Sequence, residues 1–258
     1  MPEQKVTVED IKALKGTRFP SLTAYDYGMA KLLDAAGMPL ILVGDSLGMV
    51  VLGYPDTTHV TLEDIEHHTR AVARARPNAL LVADLPYHTY QSVDDAVVSA
   101  RRLRDAGAEA VKGEGGRDID AQVRAIIADG IPFLGHLGML PQRVKEEGGY
   151  KIKGKVEAER ADLIADAKAL EAAGAFGMIL ELLTPQAARE VTEAVSIPTI
   201  GIGSGSVCDG EILVITDLFG TSADFIPRHV PLKHDLAGRM TEIVSEWRTH
   251  ISKSWKHE

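Results

Sequence analysis

The chain has 258 residues, 45% of them hydrophobic, and a formal net charge of -9 from 37 acidic and 28 basic side chains. That length and apolar content can bury a full core, while the acidic excess argues against a nucleic-acid surface and a polybasic membrane patch. A single cysteine, Cys208, leaves no internal disulfide. No apolar run approaches the roughly 20 residues of a bilayer span, and the polar start "MPEQKVTVED" lacks a signal-peptide core. A cytoplasmic protein with no membrane and no nucleic-acid partner is the expectation.

From the N-terminus, short β-like runs alternate with Ala-rich runs of helical period. A strand is expected over residues 21–25, then a helix over 27–37 and a strand over 40–44. Helix 62–75 leads to strand 80–84, helix 93–107 to strand 110–114, and helix 118–130 to strand 132–136. Helix 157–174 precedes strand 178–182, and helix 185–195 precedes strand 198–202. A last strand over 212–216 and a C-terminal helix over 236–255 complete the series. Several of the helical runs end in Gly, as helix C-termini do. Eight strands in one chain of this size is the count of a (βα)8 TIM barrel, taken as one domain over 1–258. A doubly wound sheet uses the same alternation but needs a Gly-rich phosphate turn after its first strand; "TAYDYG" is not one.

In a barrel the C-terminal strand ends face the active site. Those ends carry Asp26, Asp45 with Ser46, Asp84, Lys112 with Glu114, His136 and Glu181, with "GIGSGS" and Asp217 closing the series. Each has a plainer use. A strand-end Asp can cap the next helix, a use best suited to Asp26. Lys112 and Glu114 share one face of a strand and could be a simple ion pair; His136 could be a satisfied core histidine, and Glu181 a helix-start carboxylate. Asp45 and Asp84 are hard oxygen donors on neighbouring strands, a set that suits Mg²⁺ better than zinc. His67 and His68 are adjacent on a helix, point about 100° apart and cannot chelate together; they read as surface. "GIGSGS" lacks the spacing of a nucleotide fingerprint and reads as a tight turn. "GGYKIKGK" (148–155) reads as a mobile basic loop, either a solvated turn or a lid.

The stretches "TAYDY", "LVGDSLGMVVLGY", "VADLPY", "GAEAVKGEGG", "GIPFLGHLGMLPQ", "GGYKIKGK", "DAKALEAAGAFGMILE", "IPTIGIGSG" and "CDGEILVITDLFG" occur in order over most of the chain. In these it resembles the ketopantoate hydroxymethyltransferases. The resemblance implies a TIM barrel of the phosphoenolpyruvate/isocitrate-lyase type. It also implies transfer of a hydroxymethyl group from 5,10-methylenetetrahydrofolate to the α-keto acid 3-methyl-2-oxobutanoate, through a Mg²⁺-stabilised enolate, in pantothenate synthesis. By this likeness Asp45 and Asp84 hold the metal and Glu114 reaches it through water. Asp45, Ser46, Asp84, Lys112 and His136 hold the keto acid, and Glu181 is the catalytic base. The family forms homo-oligomers, often decamers. The alternative is another Mg²⁺-dependent lyase or mutase of α-keto acids on the same barrel. Such relatives often use a catalytic cysteine in a lysine-rich loop, whereas Cys208 lies in "SVCDG". The sequence departs from the family at Gly113, where a bulky apolar residue is usual, and at His88 and Thr89 in "PYHTY".

Overall fold

The computed structural model describes residues 4–222, 226–230 and 234–254. Eight parallel strands close into a barrel in sequential order. They are β1 (Phe19–Thr23), β2 (Leu40–Val43), β3 (Leu80–Asp84), β4 (Ala110–Lys112), β5 (Phe133–Gly138), β6 (Gly177–Glu181), β7 (Thr199–Ile202) and β8 (Gly210–Leu213). The helices are α1 (Val8–Lys12), α2 (Tyr27–Ala35), α3 (Leu47–Val50), α4 (Leu62–Ala73), α5 (Val93–Asp105), α6 (Asp120–Ala128), α7 (Val144–Glu147), α8 (Glu157–Ala173), α9 (Pro185–Ala194), α10 (Ile215–Phe219) and α11 (Leu236–Ser254). The chain divides into two compact units, Met1–Ile212 and Leu213–Glu258.

All eight expected strands and the long helices between them are present. The largest shift is at β8, expected over 212–216. It starts at Gly210 and stops at Leu213, because Ile215–Phe219 coils into α10. Of the C-terminal helix expected over 236–255, residue 255 lies outside the described residues.

Period-2 geometry divides the barrel interior into two layers. Leu42, Val82, Ala110, Leu134 and Ile179 belong to one buried apolar cluster, which also contains Ile11 of α1. Two residues further along the same strand faces stand Asp84, Lys112, His136 and Glu181. The lower layer is thus apolar and the layer at the C-terminal ends is charged.

The helices begin where their sequences allow. Thr61 and Asp64 form a reciprocal capping box at α4, and Ser92 caps α5 by accepting from the Asp95 N–H. Asp26 accepts the Met29 N–H at 2.8 Å and is exposed, so it is a cap of α2 and not part of a site.

Candidate active site

The apolar strand β2 runs directly into Gly44, Asp45 and Ser46. After Val43, Gly44 turns inward, where a Cβ would stand 3.0 Å from Ser46 Oγ and 3.5 Å from Asp84 Oδ2. Glycine therefore keeps open the space above Asp84. The next residue, Asp45, donates its N–H to Asp84 Oδ2 at 2.9 Å. Asp84 Oδ1 accepts from Lys112 Nζ at 2.7 Å, and both side chains are almost fully buried. The registers Val43↔Ala83 and Asp84↔Lys112 set these three residues side by side.

Glu114 shares the inward face with Lys112, as period 2 requires. Its Oε2 accepts from the Gln142 N–H at 3.0 Å, whereas its buried Oε1 has no hydrogen-bond partner. His136 lies between two carboxylates, with Nδ1 3.5 Å from Glu114 Oε1 and Nε2 3.3 Å from Glu181 Oε2. Neither contact has hydrogen-bond alignment, so both are ionic. Ser46 Oγ is 2.9 Å from the Tyr25 hydroxyl. Asp45, Ser46, Asp84, Lys112, Glu114, His136 and Glu181 therefore gather at one end of the barrel, whereas Asp26 does not join them.

The site is electrostatically unbalanced. Burial, then the charge of Asp84, pushes the Asp45 carboxyl well above its usual range. Burial and Lys112 oppose a charge on His136, yet Glu114 and Glu181 hold its proton and raise its pKa to about 9. Burial likewise opposes the Lys112 charge, and Asp84, Asp45 and Glu114 outweigh it, moving its pKa upward. Four carboxyl groups, Asp45, Asp84, Glu114 and Glu181, thus crowd round one lysine and one histidine, so acidic groups outnumber basic ones at this end of the barrel.

A divalent cation fits this donor set. Among the described residues, no three His, Cys, Asp or Glu side chains form a complete cage. Mg²⁺ does not need one: it keeps several waters and takes one or two carboxylates plus substrate oxygens. Asp45, Asp84, the orphaned Glu114 Oε1 and the room above Gly44 meet that requirement.

The backbone beside Glu181 is constrained. Leu182 has φ +49°, in the left-handed region, and is held by hydrogen bonds to Ile202 O and from Lys153 N–H, both 2.9 Å. Gly138 of β5 (φ +102°) lies directly against this turn; a Cβ there would overlap the Glu181 carbonyl oxygen. Ser204 of the "GIGSGS" turn accepts from the Leu183 N–H at 2.9 Å and donates to Leu180 O at 2.8 Å, which makes the segment a structural tie.

Other expectations change. Asp217 is not at a strand end; it lies in α10 of the second unit, where Ser222 donates to it. His68 is half-buried, its Nδ1 2.6 Å from Tyr25 O, and only His67 is exposed. The 148–155 segment is stitched down: Lys153 O accepts from Thr184 N–H at 2.9 Å, Lys153 Nζ meets Glu147 at 2.5 Å, and the Gly154 and Lys155 N–H groups donate to Glu159. Its basic charge is thus partly neutralised, and half-exposed Tyr150 places its hydroxyl 3.9 Å from Met49 Sδ. At Gly113 the absent side chain is replaced by a neighbour, since a Cβ would touch the Phe133 ring at 3.0 Å. Thr89 donates to Pro86 O at 2.7 Å, and His88 packs on Tyr87 with ring centroids 3.8 Å apart. Both departures are satisfied within their own loop. Cys208 is buried against Gly201, and burial pushes its thiol up, away from nucleophilic form.

Sequence reading did not single out Tyr25, Tyr90 or Gln142. The Gln142 amide donates to Asp45 Oδ2 at 2.8 Å and Leu85 O at 3.0 Å, and accepts from the Tyr90 hydroxyl at 2.7 Å. The one available signal was the Pro-Gln pair eight residues after the start of β5.

A closed parallel barrel with carboxylates, lysine and histidine at its C-terminal rim defines a (βα)8 enzyme-type scaffold. The same fold occurs in 2,3-dimethylmalate lyase, a member of the PEP mutase/isocitrate lyase superfamily, with a TM-score of 0.58 and 15% identity over 97% of this chain and 85% of that one. The chain belongs to the ketopantoate hydroxymethyltransferase family, whose model matches residues 5–255. It is 50% identical over 254 residues to the 3-methyl-2-oxobutanoate hydroxymethyltransferase of Hyperthermus butylicus, covering 96% of this chain and 87% of that protein. It is 47% identical over 253 residues to the protein of that name from Dehalococcoides mccartyi strain CBDB1, covering 96% and 91%.

Proposed function

We propose that the protein transfers a hydroxymethyl group from 5,10-methylenetetrahydrofolate to 3-methyl-2-oxobutanoate, giving 2-dehydropantoate, with 1–258 acting as one catalytic chain in pantothenate synthesis in the cytoplasm. The observation that carries this reading is the adjacency of Glu181, His136, Glu114, Lys112, Asp84 and Asp45 at one barrel mouth. Asp45 and Asp84 would hold Mg²⁺, with Glu114 reaching it through water. Bound there, the ion supplies Lewis-acid polarisation of a keto group.

The chain's own residues do the rest. Lys112 sets a fixed positive charge where the keto oxygen becomes an enolate. Its ion pair with Asp84 keeps it charged and in place. Ser46 and Tyr25 offer hydroxyls at the rim for the substrate carboxylate. Glu181 takes the C3 proton. His136, in contact with the Glu181 carboxylate, orients it. Carbon–carbon bond formation then needs the one-carbon donor above the enolate face, with one water supplying the hydroxyl oxygen of the transferred group and tetrahydrofolate as the leaving group. No covalent enzyme intermediate is required, in keeping with the buried Cys208.

The test is exchange of the C3 proton of 3-methyl-2-oxobutanoate into D₂O, followed by NMR with Mg²⁺ and no folate. Wild type should exchange, and Glu181→Gln should lose about 10²- to 10⁴-fold, the usual weight of a positioned base. Undiminished exchange in that variant overturns the base assignment.

Self-association is part of the same reading. The exposed apolar residues Leu236, Met240, Ile243, Val244, Trp247 and Ile251 recur at helical spacing on α11 and form one stripe.

A further inference from the structure

We infer that Gln142 is a positioning residue that holds the carboxylates of Asp45 and Glu114 in register for the divalent ion, with Tyr90 fixing the direction of its amide; this rests on the metal reading above. Gln142 is 3% exposed and sits in a single 3-10 turn, Pro141–Arg143, beyond β5. From there it grips both carboxylates at once. Its backbone N–H donates to Glu114 Oε2 at 3.0 Å, and its side-chain Nε2 donates to Asp45 Oδ2 at 2.8 Å. In Glu114 this occupies one carboxylate oxygen and leaves Oε1 buried without a hydrogen bond.

The amide orientation is not arbitrary. Nε2 also lies 3.0 Å from Leu85 O, which can only accept, so the NH₂ must face this way. The opposite atom, Oε1, accepts from the Tyr90 hydroxyl at 2.7 Å, and that hydroxyl receives the Glu114 N–H at 3.2 Å. Tyr90 thereby closes a loop from Gln142 back to Glu114. Only a neutral amide satisfies all of these partners. A carboxylate at 142 would face Asp45 and a carbonyl with no proton to give. An ammonium or guanidinium would bring a further fixed cation to the site beside Lys112 and His136, competing with the bound ion for Asp45. Hydrogen-bond partners behind metal ligands usually contribute 10- to 100-fold to affinity or activity.

The test titrates Mn²⁺ into the folded, substrate-free protein, by calorimetry and by the electron paramagnetic resonance of free Mn²⁺. Gln142→Met keeps the side-chain volume while deleting the amide, and Tyr90→Phe deletes one oxygen. Gln142→Met should bind Mn²⁺ about 10- to 100-fold more weakly than wild type. Tyr90→Phe should lose about fivefold, the size of one hydrogen bond. The half-saturating Mg²⁺ concentration for C3 proton exchange should rise by the same factors, and by more than exchange at saturating Mg²⁺ falls. If wild type binds Mn²⁺ and both variants bind it equally well, the positioning role is overturned and the metal reading stands. If wild type binds no divalent ion, the metal reading itself fails. Should Gln142→Met not fold, Tyr90→Phe alone decides, and unchanged affinity in it counts against the inference.

Discussion

Asp84 supports two neighbours with one carboxylate, taking the Lys112 ammonium on one oxygen and the Asp45 N–H on the other. Asp84→Ala should therefore do more than remove a metal ligand. It leaves Lys112 buried with its closest counter-charge gone, a loss of about 3–5 kcal/mol in urea unfolding, alongside loss of Mg²⁺-dependent exchange. Asp45 is the opposite case. Its pKa is raised by burial and by Asp84, so the fold disfavours its ionised form. Asp45→Asn should abolish Mg²⁺-dependent exchange and yet leave metal-free stability at pH 7 equal to or above that of wild type. A large stability loss in Asp45→Asn would contradict the charge imbalance described here.

Between elements, one close approach and one ion pair set the rim. At Gly138, β5 passes so near the Glu181 carbonyl that no Cβ fits. Gly138→Ala should destabilise by at least about 1–3 kcal/mol through forced backbone movement and slow C3 exchange by displacing Glu181, read by thermal unfolding and NMR together. Asp56 caps the turn Thr57–His59 and joins Lys145 Nζ, 3.2 Å away and beyond β5. Burial favours its neutral form, but hydrogen bonds from Thr58 and Lys145 prevail and lower its pKa to about 2. Since the folded value lies below the unfolded one of about 3.9, its contribution is complete above pH 4 and vanishes as pH falls through about 2. Acid unfolding of Asp56→Asn, compared with wild type by circular dichroism, should show a stability gap at pH 5–7 that closes toward pH 2.

At the scale of the whole molecule, the apolar layer below and the charged layer above come from the same strands, two residues apart. The lower layer contributes stability by burial, and the upper layer concentrates negative charge where a cation can neutralise it. Among the described residues α11 carries an exposed apolar stripe, with Trp247 66% and Val244 61% exposed. If it is an interface between copies, Ile243→Glu with Trp247→Glu should reduce the particle mass in light scattering while the far-ultraviolet circular dichroism is retained. An unchanged mass would remove α11 from the assembly contact.

Much of this was legible in one dimension. Strand and helix periods are local, so the eight-fold alternation could be read without knowing any contact, and the residue ending each strand followed from it. That is why Asp45, Asp84, Lys112, Glu114, His136 and Glu181 could be named as one group. Where a helix-forming stretch abutted a strand, as at Ile215–Phe219, the local signal was ambiguous, and Asp217 was misplaced. The partners of those residues were not legible. Gln142 reaches Asp45 across 97 positions, and Tyr25 meets Ser46 across 21. Nothing in a Pro-Gln pair or an Ala-Tyr pair specifies such distant acceptors. Barrel closure brings the strand ends within hydrogen-bond range, and only then do burial and mutual charge decide which carboxylate is held, which is left open, and which proton stays.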